Sequence, residues 1–348
     1  MNKVTDQQGR AGSRIANIDA LRALAALAVC LFHFTRSGFL GDNILSQICR
    51  QGYLGVDAFF VISGFVIPWS LHQSRYEFSQ LFGFLSRRFW RLYPAYVVTG
   101  VLTLGLWYAS SLVPGFRGAA PHLEHGQLWG NLALACAFNG TEWLVPVFWT
   151  LAIEVQFYVL VAVMFPLLVH RRPIVRFISL AAWVGVVWCE PSGNLVLAYG
   201  ALFGLGITLF LRTAGCESGR ASWFWVGAAT VSLFWVRGIG SALVGLVSYL
   251  VLSCAPAVRL RGLLFVGSFS YSLYLLHIPL GSRIINLAER LPMTLGYRGA
   301  AVLLALGVAM VGAYLLFLLV ERPSHQIARR FGNRWQSQLA PDDQPKRV

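Results

Sequence analysis

Apolar residues come in long runs broken by short polar or basic segments. Helices are predicted near 15–39, 53–71, 92–113, 148–169, 174–188, 195–211, 222–236, 239–255, 263–282 and 299–320. Crossing the hydrocarbon layer takes about twenty apolar residues in helical form. The pattern therefore predicts an all-α polytopic membrane protein with about ten transmembrane helices. Residues 128–141 are apolar but short for a span, and read as a re-entrant or interfacial segment. Residues 72–91 mix arginine with Phe, Leu and Trp, which predicts an amphipathic helix at the interface. The polar stretch 1–13 is expected to be a disordered cytoplasmic N-terminus. Residues 14–324 form the membrane domain, and 325–348 a basic cytoplasmic tail.

Composition agrees with the pattern. Of the 348 residues, 57% are hydrophobic and only 12% charged, which leaves no room for a large soluble domain. The net charge of +14 comes mostly from arginines between the apolar runs. With 128–141 not spanning and the N-terminus inside, most Lys and Arg fall on the cytoplasmic side. If it spans, the basic residues divide nearly evenly. The positive-inside bias favours the first arrangement, with both termini cytoplasmic. The charge is thus no sign of a nucleic-acid partner. The six cysteines are scattered without ligand spacing, so neither a metal site nor a disulfide framework is expected. The first apolar run has no small-residue cleavage site and is read as retained.

Polar residues inside the apolar runs carry the chemistry, because ionisable groups there are costly and usually serve a site. The first run holds Asp19, Arg22 and His33. Arg22 and His33 lie on nearly the same helix face, roughly 16 Å apart along the axis. Asp57 sits in the second run and Glu154 in the helix that starts at Phe148. The expected topology places His33, Asp57 and Glu154 toward the outer face, and Arg22, Arg87, Arg88 and Arg91 toward the inner one. Guanidinium groups suit phosphate or pyrophosphate, which they grip with paired hydrogen bonds. A histidine beside a carboxylate suits removal of a hydroxyl proton. An acyl-CoA, with phosphates at one end and a thioester at the other, has the shape to span the two. Plainer readings stand beside these. The arginines also serve as positive-inside anchors, Asp57 as the partner of a membrane arginine, and Glu154 as a charge at a helix N-terminus. His277 reads as a packed histidine. Cys30 and Ser63 are the side chains able to carry an acyl group covalently.

Five segments, in order, resemble the acyltransferase-3 family. They are DALRALA at 19–25 with His33 beyond it, GYLGVDAFFVISGF at 52–65, SRRFWRLYPAY at 86–96, FWTLAIEVQFY at 148–158 and FSYSLYLLHIP at 269–279. The resemblance runs over about 14–324 and ends on Glu321-Arg322-Pro323. It implies an integral-membrane O-acyltransferase of the bacterial cytoplasmic membrane, acting on cell-surface sugars and related acceptors. His33, paired with Arg22 in an Arg-x10-His motif, would be the catalytic base. Asp57 would support the site, and Arg88 and Arg91 would lie near the CoA phosphates, with Arg87 as a helper. Glu154 matches the first acid of a Ser-x-x-Glu-Glu-x-Phe-Tyr pattern, from which this chain departs at Ala152 and Val155. The expected donor is acyl-CoA, acetyl-CoA in particular, with no permanently bound cofactor and no metal. The expected acceptor is a carbohydrate or lipid-linked glycan. The alternative class is a transporter or flippase for an acylated or anionic substrate, although no inverted repeat is visible.

Overall fold

The computed structural model describes residues 2–113, 122–190, 193–290 and 294–329, with the side chains of 2–14 and of Ser37 left out. The expected basic tail therefore lies outside the described residues beyond 329. The described residues are helical and contain no strand. The principal helices are α1 (Asn2–Phe34), α2 (Ile44–Arg50), α3 (Gly55–Gln73), α4 (Leu81–Ser111), α5 (His125–Leu132), α6 (Cys136–Asn139), α7 (Phe148–Leu168) and α8 (Pro173–Gly185). Then come α9 (Gly200–Thr213), α10 (Gly219–Arg237), α11 (Ile239–Cys254), α12 (Arg261–Ser268), α13 (Ser270–Leu276), α14 (Arg283–Ala288) and α15 (Leu295–Leu316).

Each apolar run of the sequence is a helix, in the expected order. Among the described residues, six helical stretches are long and apolar enough to cross a membrane, seven if α12 and the bent stretch Ser270–Ala288 count as one span broken at 63°. Pro173–Trp188 and Ile239–Cys254 are shorter apolar helices, so the expected count of about ten is approximate. α1 begins at Asn2, within the segment 1–13. One boundary differs from the expectation. The basic stretch 81–91 is the start of α4, not an independent interfacial helix.

The bundle is drawn together by close helix crossings. At the crossing of α3 and α9, a Cβ on Gly64 would lie 2.3 Å from the carbonyl oxygen of Phe203. One on Gly206 would lie 2.3 Å from that of Val61. Only glycine lets the two backbones come this near, as at small-residue contacts between membrane helices generally. Polar side chains add a second kind of tie. Asn17 of α1 is buried; its amide donates to the carbonyls of Val251 and Ala255 at 3.2 and 3.0 Å and its oxygen accepts from Val258 N–H at 3.0 Å. That anchors α1, which carries the sequence-predicted residues, to the end of α11.

The segment 128–141 folds as α5 and α6, two short helices joined by a turn. Asn131 holds it. Its amide donates to the Gln127 and Glu142 carbonyls at 2.9 and 3.1 Å, and its oxygen accepts from Leu144 N–H at 2.9 Å. Tyr93 and Tyr96 of α4 donate their hydroxyls to the carbonyls of Leu132 and Asn131. Irregular backbone inside a membrane protein must have its polar groups satisfied within the protein. Asn131→Ala is expected to lower stability by about 2 kcal/mol, the cost of orphaning buried backbone groups. A lower thermal midpoint of the purified protein would show this; an unchanged one would mean that Asn131 is not the tie.

Candidate active site: two adjoining cavities and a histidine pair

A cavity of about 160 Å³ lies in the bundle, among α1, α3, α4, α7, α13 and the end of the last long helix. Asp19 and Arg22, one turn apart on α1, line it, with Arg91 from α4 and Glu154 from α7. Glu154 accepts the hydroxyl of Tyr158, one turn on, at 2.5 Å, and that of Ser63 on α3 at 3.4 Å. Opposite lie Glu321 and His325. Glu321 closes a π-helical turn, Phe317–Glu321, that follows α15. Such wide turns displace side chains from the regular helical face and often mark functional sites. Glu321 is buried, accepts the Ser272 hydroxyl at 2.6 Å, and lies 3.8 Å from His325 Nε2.

A second pocket, about 270 Å³, is lined by Arg87, Arg88, Arg91, Arg329 and His325 with Ser70, Phe84 and Ala328. No carboxylate is among these residues, so it favours an anion. Arg88 is buried, its guanidinium 5.3 Å from the ring of Phe84 and 5.6 Å from that of Tyr158. Aromatic faces stabilise a cation held there. Tyr158 in turn donates to Glu154, so Arg88 reaches the first cavity through one aromatic residue. Arg91 and His325 line both spaces.

His33 and Asp57 lie outside these linings. His33, on the last turn of α1, is half-buried and packs against His277, ring centroids 5.1 Å apart. Asp57 is buried, pairs with Arg237 at 3.9 Å and hydrogen-bonds Ser241. Arg237 also stacks on Tyr199 at 4.3 Å. Asp57 is thus the partner of a membrane arginine, and its bonds go to α10 and α11. Glu154 is likewise engaged with Tyr158 and Ser63. The expectation that one of these two carboxylates orients His33 does not fit those contacts; the rings packed on His33 are Phe32, its chain neighbour, and the imidazole of His277. Tyr274 connects the two regions. It lines the first cavity, its ring lies 5.7 Å from that of Phe59, and its carbonyl oxygen is 2.7 Å from His277 Nδ1.

Arg22, Arg91 and Glu154 therefore come together, and Arg87 and Arg88 join them through Arg91. Sequence reasoning noted Asp19 without giving it a role and passed over Glu321, His325 and Arg329 as site residues. The available signal was the Glu-Arg-Pro stretch at 321–323, with His325 one turn beyond Glu321 on the same face. Cys30 is fully buried in an apolar cluster, unsuited to carry an acyl group, whereas Ser63 opens on the cavity.

A helical bundle with membrane-length apolar helices and a charged internal cavity defines a multi-pass membrane protein with a candidate site inside the bundle. The chain belongs to the acyltransferase-3 family: the acyltransferase-domain model of that family matches residues 15–320. It is 26% identical to an acyltransferase of Streptomyces mycarofaciens, MdmB, over 94% of this chain and 95% of the relative. It is 26% identical to the O-acetyltransferase OatA of Staphylococcus aureus over 76% of this chain, which spans 50% of that protein. A putative membrane-bound transacylase of Komagataeibacter xylinus, BcsY, is 28% identical over 89% of this chain and 83% of the relative. No solved structure is significantly similar. The protein is a membrane acyltransferase of the kind that transfers groups other than aminoacyl groups, and the transporter reading gives way to this assignment.

Proposed function

We propose that the protein moves a short acyl group, acetyl in particular, from acyl-CoA to a hydroxyl of a cell-surface glycan or lipid-linked glycan, with His33 as general base. The observation that carries this reading is the junction of the two cavities at Arg91 and His325. A donor whose phosphates sit among Arg87, Arg88, Arg91 and Arg329 would extend its thioester into the cavity between Arg22 and Glu154. That cavity, about 160 Å³, suits a short acyl group. The printed name of the Staphylococcus aureus relative, an O-acetyltransferase, supports the same transfer.

The reaction needs one proton acceptor and one proton donor. The acceptor hydroxyl oxygen attacks the thioester carbon as His33 takes its proton. The carbon–sulfur bond then breaks, and the His33 imidazolium returns the proton to the departing thiolate, which leaves as free CoA and restores the neutral base. His33 lies beyond the wall made by Tyr274 and Phe59, so the thioester must pass that wall to meet the acceptor. In this reading the arginine pocket opens to the cytoplasm, the His33 end faces outward, and the protein sits in the bacterial cytoplasmic membrane. The positive-inside bias supports that orientation.

The test is free-thiol release by the full-length protein in nanodiscs, with acetyl-CoA and glycans extracted from the native cell envelope. Acceptor-dependent release, with acetyl recovered as an ester on the glycan, is the expected result. Acetyl-CoA left intact with every envelope fraction would sink the donor and acceptor assignments.

A further inference from the structure

The carboxylates expected beside His33 bond elsewhere, and besides its chain neighbour Phe32 the ring packed on it is that of His277. That residue is fully buried. Its Nδ1 lies 2.7 Å from the carbonyl oxygen of Tyr274. A carbonyl only accepts, so Nδ1 carries the proton of the neutral ring and Nε2 is an acceptor. Nε2 has no hydrogen-bond partner although it is shut away from solvent. A buried acceptor left unpaired is costly, and such a group calls for a reason. The backbone is shaped at the same point. His277 opens a π-helical turn, His277–Ser282, that contains Pro279, a residue without an N–H to give the ladder. The other rings packed on His277 are Phe34 and Tyr274, at 6.2 and 5.8 Å, so they supply no carboxylate.

We propose that His277 is a positioning residue for His33: its unpaired Nε2, beside a His33 ring whose centroid is 5.1 Å away, is the acceptor that takes the N–H of His33 when that ring turns toward it, and it thereby fixes which His33 nitrogen stays free to take the acceptor's proton. The inference rests on the assignment of His33 as base. The tautomer of His277 is set by the Tyr274 carbonyl, and that of His33 is set in turn by His277. When His33 becomes an imidazolium, the same hydrogen bond becomes charge-assisted and steadies it. This is the service a carboxylate gives the histidine of a serine-hydrolase triad, here supplied by a neutral ring. A neutral partner fits a buried position in the bundle, where a second unpaired charge would be costly.

Two variants separate positioning from packing. His277→Gln keeps one N–H and one acceptor; His277→Phe keeps a ring of similar size and neither. The probe is diethyl pyrocarbonate, which attacks the free nitrogen of a neutral imidazole, read at His33 by peptide mass spectrometry on the full-length protein in nanodiscs. His277→Phe is expected to slow modification of His33 about fivefold, the size of a lost hydrogen bond to the ring. His277→Gln is expected to stay near the wild-type rate, and exposed His122 reports whether the fold is unchanged. Equal His33 rates in all three proteins would overturn the proposal. In the thiol-release assay, kcat should fall in His277→Phe with KM for acetyl-CoA unchanged, and recover in His277→Gln. If the labelling pattern holds but no protein transfers acetyl, the positioning contact stands and the base assignment fails. If His277→Phe does not fold, the wild type decides. Nitrogen-15 spectra of labelled histidines should show His277 protonated at Nδ1, and protonation at Nε2 would overturn the proposal.

Discussion

His33→Ala is expected to lower acetyl transfer by on the order of 10²- to 10⁴-fold, the usual contribution of a positioned general base. KM for acetyl-CoA should hardly change if, as proposed, the donor's phosphates meet arginines that line a pocket without His33. The substitution removes a half-buried ring from the end of α1, which Asn17 still anchors to α11. The protein should therefore remain folded, and a purified monodisperse variant makes the comparison clean. Thiol release measured against donor concentration separates the two parameters. Near-full transfer by a correctly inserted His33→Ala protein would remove His33 from the chemistry. Attention would then move to Glu154 and Ser63, which already face the cavity.

Arg91→Gln tests the other half of the site. Arg91 is the arginine common to both cavities, so its loss should weaken the hold on phosphate where the two spaces meet. One or two charge-assisted hydrogen bonds at about 1.5–3 kcal/mol each correspond to a rise in KM for acetyl-CoA on the order of 10- to 100-fold. The same variant should treat acetyl-pantetheine, which has no phosphate, as the wild type does. That contrast matters because Arg91 also lies near Glu154 and Glu321 in the cavity, and a general disturbance would slow both donors alike. Equal damage to both donors would place the phosphates elsewhere.

The legible part of this protein is what helix geometry and the bilayer impose locally. Apolar runs of sufficient length predict helices and their order. The spacing of Arg22 and His33, and of Arg88 and Arg91, places each pair on a common face. The residues gathered around Arg91 were partly readable for the same reason. Arg87, Arg88 and Arg91 share one end of one helix, and Glu154 stands near the start of another. Asp57 shows the opposite case. Its sequence neighbourhood suggested support for His33, yet α3 turns it toward Arg237 and Ser241.

Sequence alone determined the all-helical membrane class, the family resemblance and the residues able to bear charge within the bundle. The tertiary structure decided which of those residues meet. Glu321 and His325 reach Arg22 and Arg91 only because the last long helix, with a π turn at its end, folds back beside α1 and α4. His277 reaches His33 through a second such turn. Helical spacing is a short-range rule, fixed by backbone hydrogen bonds between residues four apart. Partners across helices depend on how closely backbones approach, as at Gly64 and Gly206, and on local departures from the regular turn, which a hydrophobic pattern does not encode.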